Sequence, residues 1–250
     1  MKKADIAEFY RRLADRIPEP ETELRSVNDY TLLVAVVLSA QATDAGVNLA
    51  TRELFAQVRT PAQMLALGEE GLKRHIKTIG LFNMKAKNII ALSRALVEQH
   101  GGRVPADREA LQALPGVGRK TANVVMNVAF GAETFAVDTH VFRVANRTGL
   151  APGKTVEKVE AILERQTPAP YRRSAHHLLI LHGRYVCKAR RPECWRCVVR
   201  DLCRFEPKTP APGSGEEAEA LAARKKPRAP RAVKAAPKRG RSARLRPQKS

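Results

Sequence analysis

Apolar residues recur along most of the chain at intervals of three and four positions, the spacing that places side chains on one face of a helix. Ile6, Phe9, Tyr10 and Leu13 show this spacing near the N-terminus. Short turns rich in glycine and proline separate the periodic stretches, and we find no alternation of polar and apolar positions bounded by hairpin turns. The pattern predicts an all-α protein of about ten helices.

The apolar run from Leu32 to Leu38 predicts a buried segment that follows Asn28 and Asp29. A polar loop interrupts the run, and either Thr43 or Asp44 is suited to cap the next helix. A short helix is predicted to begin near Asp107. The helices predicted after the buried run span residues 44–58, 69–78, 84–99, 106–113, 119–130, 138–147, 155–166 and 171–187.

The composition changes after Glu206, where large apolar residues almost disappear. Such a segment buries too little surface to offset chain entropy, so residues 207–250 are predicted to form a disordered tail. The tail carries 13 Lys and Arg but three Glu, and its basic residues are concentrated in 224–250. This one-sided charge favours a nucleic-acid arm over a solubilising tail. A nuclear address at 225–228 is not favoured, because nothing else in the chain indicates a nucleus.

The formal net charge of +20 predicts a polyanionic partner, nucleic acid first and an anionic membrane surface second. The tail accounts for half of this charge, so residues 1–206 need a binding face of their own. The apolar runs are too short to span a bilayer and the N-terminus lacks the pattern of a secretory signal, so we expect a soluble, cytoplasmic protein without membrane attachment. A low aromatic content argues against single-strand binding by base stacking.

A tight turn, Leu114-Pro115-Gly116-Val117-Gly118, joins two predicted helices. Gly116 and Gly118 permit positive φ and close approach of the backbone to a ligand. The free N–H groups of the turn and of the next helix start are suited to bind a phosphate oxygen. An ordinary turn between helices, closed by a glycine cap, is the alternative interpretation.

Two cations, Arg119 and Lys120, stand at the start of the second helix, where anions are preferred. The helix N-terminus and the neighbouring Arg119 both disfavour a protonated amine, so we expect a lowered pKa for Lys120. A neutral amine is the form that acts as a nucleophile. A solvated lysine without chemical function is the alternative.

Four cysteines lie within seventeen residues near the end of the folded part, with six, two and five residues between them. Clustered cysteines in an intracellular protein indicate metal ligation, either of zinc or of an iron–sulfur cluster, and their chemistry alone barely separates the two. The proposed ligands are Cys187, Cys194, Cys197 and Cys203. The cations between the first two ligands, Lys188, Arg190 and Arg191, form either a phosphate clamp or a solvated turn.

The stretch LPGVGRKTA (114–122) resembles the helix-hairpin-helix of the endonuclease III family of DNA base-excision glycosylases. LSAQATD (38–44), VDTHVFRVANR (137–147) and the cysteine spacing also match, over approximately residues 20–205. The resemblance implies a [4Fe-4S] cluster held by all four cysteines, structural or redox-responsive rather than catalytic. It also implies two helical domains, which we place at 21–132, and at 1–20 together with 133–206.

The resemblance assigns chemical roles to two residues. Lys120 is implied to be an amine nucleophile that attacks C1′ of a damaged nucleotide. Asp138 is implied to be the carboxylate opposite it, although by pattern alone an aspartate here is better explained as a helix N-cap. His140 and Arg143 lie close in sequence and are candidates for phosphate contacts, and Arg119 beside Lys120 is a further candidate for DNA binding.

An enzyme that acts at C1′ must extrude the nucleotide from the duplex and fill the hole left behind. The resemblance indicates Gln41 for this role, together with Leu81 or Ile79 in the turn 78–83. The implied function is a bifunctional DNA glycosylase and abasic-site lyase, which removes oxidised pyrimidines through a Schiff base and β-elimination. It would work as a monomer on duplex DNA, in a bacterial rather than a nuclear context. The alternatives are a monofunctional mismatch glycosylase of the same superfamily and a non-catalytic DNA-binding module with a structural metal.

Overall fold

The computed structural model describes residues 1–217 and 219, and within these residues the regular structure is entirely helical. The predicted all-α class is therefore confirmed. Two short 3-10 turns, Ala169–Tyr171 and Cys194–Arg196, accompany the α-helices. The α-helices are α1 (Lys3–Arg16), α2 (Asp29–Ser39), α3 (Asp44–Gln57), α4 (Pro61–Ile76), α5 (Phe82–His100), α6 (Arg108–Ala113), α7 (Arg119–Phe130), α8 (Thr139–Thr148), α9 (Val156–Gln166) and α10 (Arg172–Tyr185).

Residues 1–211 form one compact unit whose buried apolar side chains fall into two clusters. The first cluster takes its side chains from residues 24–125 and has α2 at its centre, where each residue from Tyr30 to Leu38 is buried. The second combines α1 with residues 135–199. We refer to the two parts as the first half and the second half of this unit.

The N-terminal helix α1 belongs to the second half, although it is first in the chain. Phe9 and Leu13 are fully buried there. The Tyr10 hydroxyl lies 3.1 Å from the Thr167 hydroxyl, and Arg12 Nη1 donates to Asp201 Oδ1 at 2.6 Å. The chain therefore begins and ends its folded part in the same half.

Most helix starts match the polar cap residues in the sequence. Thr43, rather than Asp44, caps α3 by accepting a hydrogen bond from Gly46 N–H. Asp107 caps α6 at the predicted position. The prediction for α4 was wrong at its start: the helix begins at Pro61, and a non-helical Gly68 interrupts it. The apolar spacing identified only the segment beyond this break.

Lys208 keeps the beginning of the predicted tail attached to the folded unit. Its Nζ donates to the carbonyl oxygens of Cys203 at 3.0 Å and Phe205 at 2.6 Å. In the separate unit that begins at Pro212, Gly213 N–H donates to Glu217 Oε2 at 2.6 Å. The basic segment 224–250 lies outside the described residues. Among the helices described, none combines the length and apolar character needed to cross a membrane.

We expect the core substitution Leu33→Ala to lower the free energy of unfolding by about 2–5 kcal/mol, because it leaves a cavity beside α2. Leu33 is fully buried, whereas Leu49 on α3 is 69% exposed and provides a matched control. Leu49→Ala should change the free energy by less than about 0.5 kcal/mol. Urea unfolding followed by helical circular dichroism measures both, and equal losses would contradict the assignment of α2 as the core helix.

Candidate active site

A cleft of about 750 Å³ opens where the loop after α2, the start of α7 and the helices α8 and α10 approach one another. An adjoining cavity of about 1230 Å³ continues from it. Residues from both halves of the folded unit line these spaces. Those shared by the cleft and the cavity are Ser39, Asp44, Lys120, Asp138 and Arg184.

Lys120 is the second residue of α7, and its side chain is exposed. The N-cap of α7 is Gly118, which offers no side-chain acceptor, and the first turn contains no acidic residue. The N–H groups at this helix start therefore remain available to an anion. The structure places an amine beside a site that is suited to bind phosphate.

Asp138 is the N-cap of α8 and also lines the cleft. Its Oδ1 accepts hydrogen bonds from the backbone N–H groups of His140 and Val141, both at 2.8 Å. The interpretation as a helix cap is therefore confirmed, and capping through Oδ1 holds the carboxylate on the wall of the space that Lys120 also lines.

Asp44 is a third charged group in the cleft, although from the sequence alone it is a candidate only for a helix cap. Burial raises the pKa of its carboxyl, the Lys120 ammonium lowers it, Asp138 raises it and His140 lowers it. Arg184 Nη1 donates to Asp44 Oδ2 at 2.8 Å and also forms an ion pair with Glu23. The mutual influence of these charges brings the predicted pair and His140 into one electrostatic site.

Two histidines at the start of α10 form another part of the cleft wall that the sequence did not reveal. The rings of His176 and His177 meet edge to face, with centroids 5.0 Å apart. Burial lowers the pKa of His176 to about 3, with contributions from His177 and Lys120, so its imidazole is neutral at physiological pH. Its Nδ1 is buried and lacks a hydrogen-bond partner among the described residues.

Arg119 forms an ion pair within the protein, which the sequence did not predict. Its guanidinium donates to the buried carboxylate of Glu160 on α9, with the shortest contact at 2.8 Å from Nη2 to Oε1. Asn123 Nδ2 donates to the same carboxylate at 3.0 Å. Glu160 therefore pairs with this guanidinium and ties the start of α7 to α9.

The two glycines of the hairpin turn behave differently. Gly116 has φ of +79°, and an added Cβ would lie 2.9 Å from Asn88 Cβ, so this position requires glycine. Gly118 has φ of −89° and open space around it. Gly116 therefore uses the positive φ that glycine permits, whereas Gly118 does not.

The loops expected to enter the duplex expose Gln41 and Leu81. Ile79, which the sequence offered as an alternative to Leu81, is only 4% exposed and belongs to the core of the first half. Because a core side chain is not available to enter DNA, the structure corrects the assignment of Ile79 and leaves Leu81 as the candidate.

Arg143 binds within the protein instead of presenting a free cation. Its Nε donates to the Cys187 carbonyl at 2.9 Å, Nη2 to the Gly183 carbonyl at 2.8 Å and Nη1 to the Thr139 carbonyl at 3.2 Å. This side chain therefore links α8 to the cysteines, which corrects its assignment to phosphate. His140 lines the cavity next to the cleft.

The four cysteines surround a cavity of about 320 Å³. In the part of the chain that is described, no three His, Cys, Asp or Glu side chains are placed to hold a single metal ion. Four cysteine side chains that line one cavity match the ligand set that an iron–sulfur cluster requires. Burial raises the pKa of Cys197 to about 11, so only a bound cationic centre would keep this sulfur as a thiolate at neutral pH.

Hydrogen-bond donors surround the cysteine sulfurs. Arg147 Nη1 lies 3.5 Å from Cys187 Sγ, and Phe205 N–H donates to Cys203 Sγ at 3.4 Å. In the loop between the first two cysteines, Lys188 pairs with Glu193 at 2.7 Å, while Arg190 and Arg191 are exposed. The surroundings suit thiolate ligands, and the loop presents cations to solvent.

Comparison with known proteins agrees with this geometry. A family model described as HhH-GPD superfamily base excision DNA repair protein matches residues 34–169, and the iron-sulfur binding domain of endonuclease III matches residues 187–203. Endonuclease III of Escherichia coli (strain K12) is 58% identical over 208 residues, covering 83% of this chain and 99% of that relative. Endonuclease III of Rickettsia conorii is 61% identical over 205 residues, with 82% and 98% covered.

Solved structures extend the likeness to complexes with DNA. A trapped covalent intermediate of endonuclease III with DNA has a TM-score of 0.77 and 45% identity, covering 82% of this chain and 96% of that one. A non-covalent endonuclease III–DNA complex has a TM-score of 0.77 and 41% identity, with 89% and 99% covered. The chain thus carries a [4Fe-4S] cluster, and it belongs to the endonuclease III family of the HhH-GPD superfamily of base excision DNA repair proteins.

Proposed function

We propose that this chain is a bifunctional DNA glycosylase and abasic-site lyase that removes oxidised pyrimidines from duplex DNA. The observation that carries the proposal is the position of Lys120, an amine at a helix start that is open to phosphate, in a cleft shared with Asp138 and Asp44. Nucleophile, carboxylates and an anion site are the groups that displacement of a base from a sugar requires. The relatives named endonuclease III and their DNA complexes support it.

In the proposed reaction the lone pair of Lys120 Nζ forms a bond to C1′ of the nucleotide. The bond between C1′ and the base breaks, and the base leaves with its electron pair and takes up a proton. Asp138 accepts the proton released by the attacking amine and stabilises positive charge that develops on the sugar. Opening of the sugar ring then yields a Schiff base between Nζ and C1′.

The Schiff base acidifies C2′, because its protonated nitrogen accepts the electrons of the broken C–H bond. Loss of the C2′ proton to a carboxylate or water expels the 3′ phosphate and cuts the strand. Water then hydrolyses the imine and returns Lys120 as a free amine. Asp44, whose burial favours its neutral form, is placed to take part in proton transfer beside Asp138.

The cluster enters this proposal as a structural element. When bound by the four cysteines it has no open coordination position, and it ties the chain between Cys187 and Cys203 into one rigid loop. Arg143 and Arg147 on α8 bind this loop, and Asp138 is the N-cap of the same helix. The residues of the chain thereby orient the carboxylate without any step at the metal.

We also propose how the protein holds DNA. The turn at Gly116 and the N–H groups at the start of α7 bind a phosphate, and Lys188, Arg190, Arg191 and His140 extend this basic surface. Gln41 and Leu81 fill the space left by the extruded nucleotide. The protein acts as a monomer on the DNA of the bacterial cytoplasm. A monofunctional mismatch glycosylase is not favoured, because Lys120 supplies the amine needed for strand cleavage.

We expect Lys120→Ala to abolish strand cleavage and borohydride trapping on a thymine-glycol duplex, with a loss of about three orders of magnitude or more. The reason is that the variant lacks the amine that forms the Schiff base. Lys3→Ala removes an exposed lysine of α1 away from the cleft and should behave like the unaltered chain. Gel analysis of nicked and cross-linked DNA measures both, and the visible absorption of the cluster confirms that each variant is folded.

Three outcomes would contradict the proposal in distinguishable ways. Continued cleavage by Lys120→Ala would remove this residue from the mechanism. Base release without nicking by the unaltered chain would identify a monofunctional glycosylase. Duplex binding with neither reaction, on any oxidised pyrimidine tested, would identify a non-catalytic binding module.

The basic tail is proposed to add affinity that is independent of DNA sequence. Truncation is best placed after Ala211, because Lys208 is bound to the folded unit, and it removes twelve Lys and Arg and three Glu. Binding to undamaged duplex should weaken, and the plot of log K against log salt should flatten by about 0.9 for each phosphate that the tail neutralises. Unchanged affinity and slope, measured by fluorescence anisotropy, would show that the tail does not bind DNA.

A further inference from the structure

Gln41 and Leu81 share an unusual backbone conformation. Among the residues described, they are the two non-glycine residues with positive φ, at +56° and +60°. Residues other than glycine, asparagine and aspartate rarely adopt this backbone conformation, because their Cβ atom crowds the backbone. Both side chains are exposed, so burial of their own side chains does not hold them in this conformation. Another contact must stabilise the two loops.

The two loops lie against each other. A Cβ added at Gly80 would be 3.9 Å from the carbonyl oxygen of Gln41, so the backbones are close to contact. Gln41 follows the end of α2, and Leu81 is the N-cap of α5. Gln41 and Leu81 therefore belong to one surface, which is formed by the end of α2 and the start of α5.

Lys85 connects the two loops from beneath. Its backbone N–H donates to the Leu81 carbonyl at 3.0 Å, as part of the first turn of α5. Its side chain is buried, and Nζ donates to the carbonyl oxygen of Leu38 at 2.9 Å. One residue thus bonds to the peptide of Leu81 and to the last turn of the helix that precedes Gln41.

Each carbonyl in the last turn of α2 has its own donor. Ser39 Oγ donates to Val36 O, Ala40 N–H to Val37 O and Ala42 N–H to Ser39 O. The donor for Leu38 O is the ammonium of Lys85. Without it, the carbonyl next to the Gln41 loop would be buried and unpaired, which costs about 1–3 kcal/mol and favours rearrangement of the helix end.

The two helix ends near the Lys85 ammonium have opposite effects on its positive charge. The C-terminal end of α2 favours a cation, but the start of α5 disfavours one. Burial also lowers the pKa of the Lys85 ammonium. An apolar side chain of the same length would avoid the desolvation cost but leave Leu38 O without its donor. Burial of the Lys85 ammonium therefore costs free energy, and the hydrogen bond to Leu38 O offsets this cost while it fixes the end of α2 against α5.

We propose that Lys85 is a positioning residue that holds the Gln41 and Leu81 loops together as one rigid wedge. The inference rests on the proposed function, in which these two side chains fill the hole in the duplex. Lys85 does not touch DNA in this arrangement. Its contribution is to keep the wedge formed before DNA binds, so that binding energy is not spent on ordering the loops.

The experiment compares Lys85→Met with Lys87→Met, which removes the same charge from an exposed position two residues further along α5. The first substrate is a duplex in which thymine glycol lies opposite 2-aminopurine. The second is a single-stranded oligonucleotide with an abasic site, which has no opposing base and no hole to fill. Single-turnover excision and strand cleavage are measured, together with 2-aminopurine fluorescence on binding.

We expect Lys85→Met to slow excision from the duplex about 10- to 100-fold, the loss that misplacement by about 1 Å produces. It should also reduce the fluorescence change that 2-aminopurine, the base opposite thymine glycol, shows on binding. Cleavage of the single strand should remain within about twofold of the unaltered chain, because chemistry at Lys120 is untouched. Lys87→Met should give the same ratio between the two substrates as the unaltered chain.

A double-variant comparison separates positioning from general damage. In a chain that already carries Gln41→Ala and Leu81→Ala, Lys85→Met should change duplex excision by less than about twofold, because the wedge is already absent. Equal slowing on both substrates, or full additivity with the loop variants, would overturn the inference. Failure of the proposed function is a different result, namely that the unaltered chain cleaves neither substrate.

Discussion

A buried carboxylate, Glu160, joins the two halves of the folded unit and fixes the walls of the cleft. It is 2% exposed and accepts hydrogen bonds from Arg119 and Asn123, both on α7. Loss of Arg119 would leave the buried Glu160 carboxylate without its cationic partner, at a cost of about 3–5 kcal/mol. Because α7 carries Lys120, this bond determines where the amine lies relative to the second half, which contributes Asp138.

The ion pair between Glu160 and Arg119 gives the two cations at the start of α7 different roles, one structural and one chemical. Arg119 is neutralised by Glu160, so Lys120 is the cation that the start of α7 presents to the cleft. Asp138 is rigid because it caps α8, and Asp44 is held by Arg184. Helix caps and ion pairs therefore position the charged groups of the cleft.

The sequence predicted those features that depend on local pattern or on a contiguous motif. Helix periodicity, the cap at Asp107 and the cysteine spacing are of this kind. Asp44, Arg184 and His176 were missed as members of the site, because they come together only through packing. Periodicity also did not distinguish Ile79 from Leu81, since the direction of each side chain depends on the left-handed turn at Leu81. Arg119 and Arg143 look like surface cations in sequence, whereas buried acceptors engage both in the fold.

Peptide mapping of the borohydride-trapped protein–DNA adduct by mass spectrometry identifies the residue that attacks the sugar. We expect the sugar remnant on Lys120 alone, because its Nζ is the amine that shares the cleft with Asp138 and Asp44. Attachment to Lys154, which lines the adjoining cavity, or to the N-terminal amine of Met1 would contradict the assignment of the nucleophile. Absence of any adduct from an enzyme that still releases the base would contradict the lyase chemistry itself.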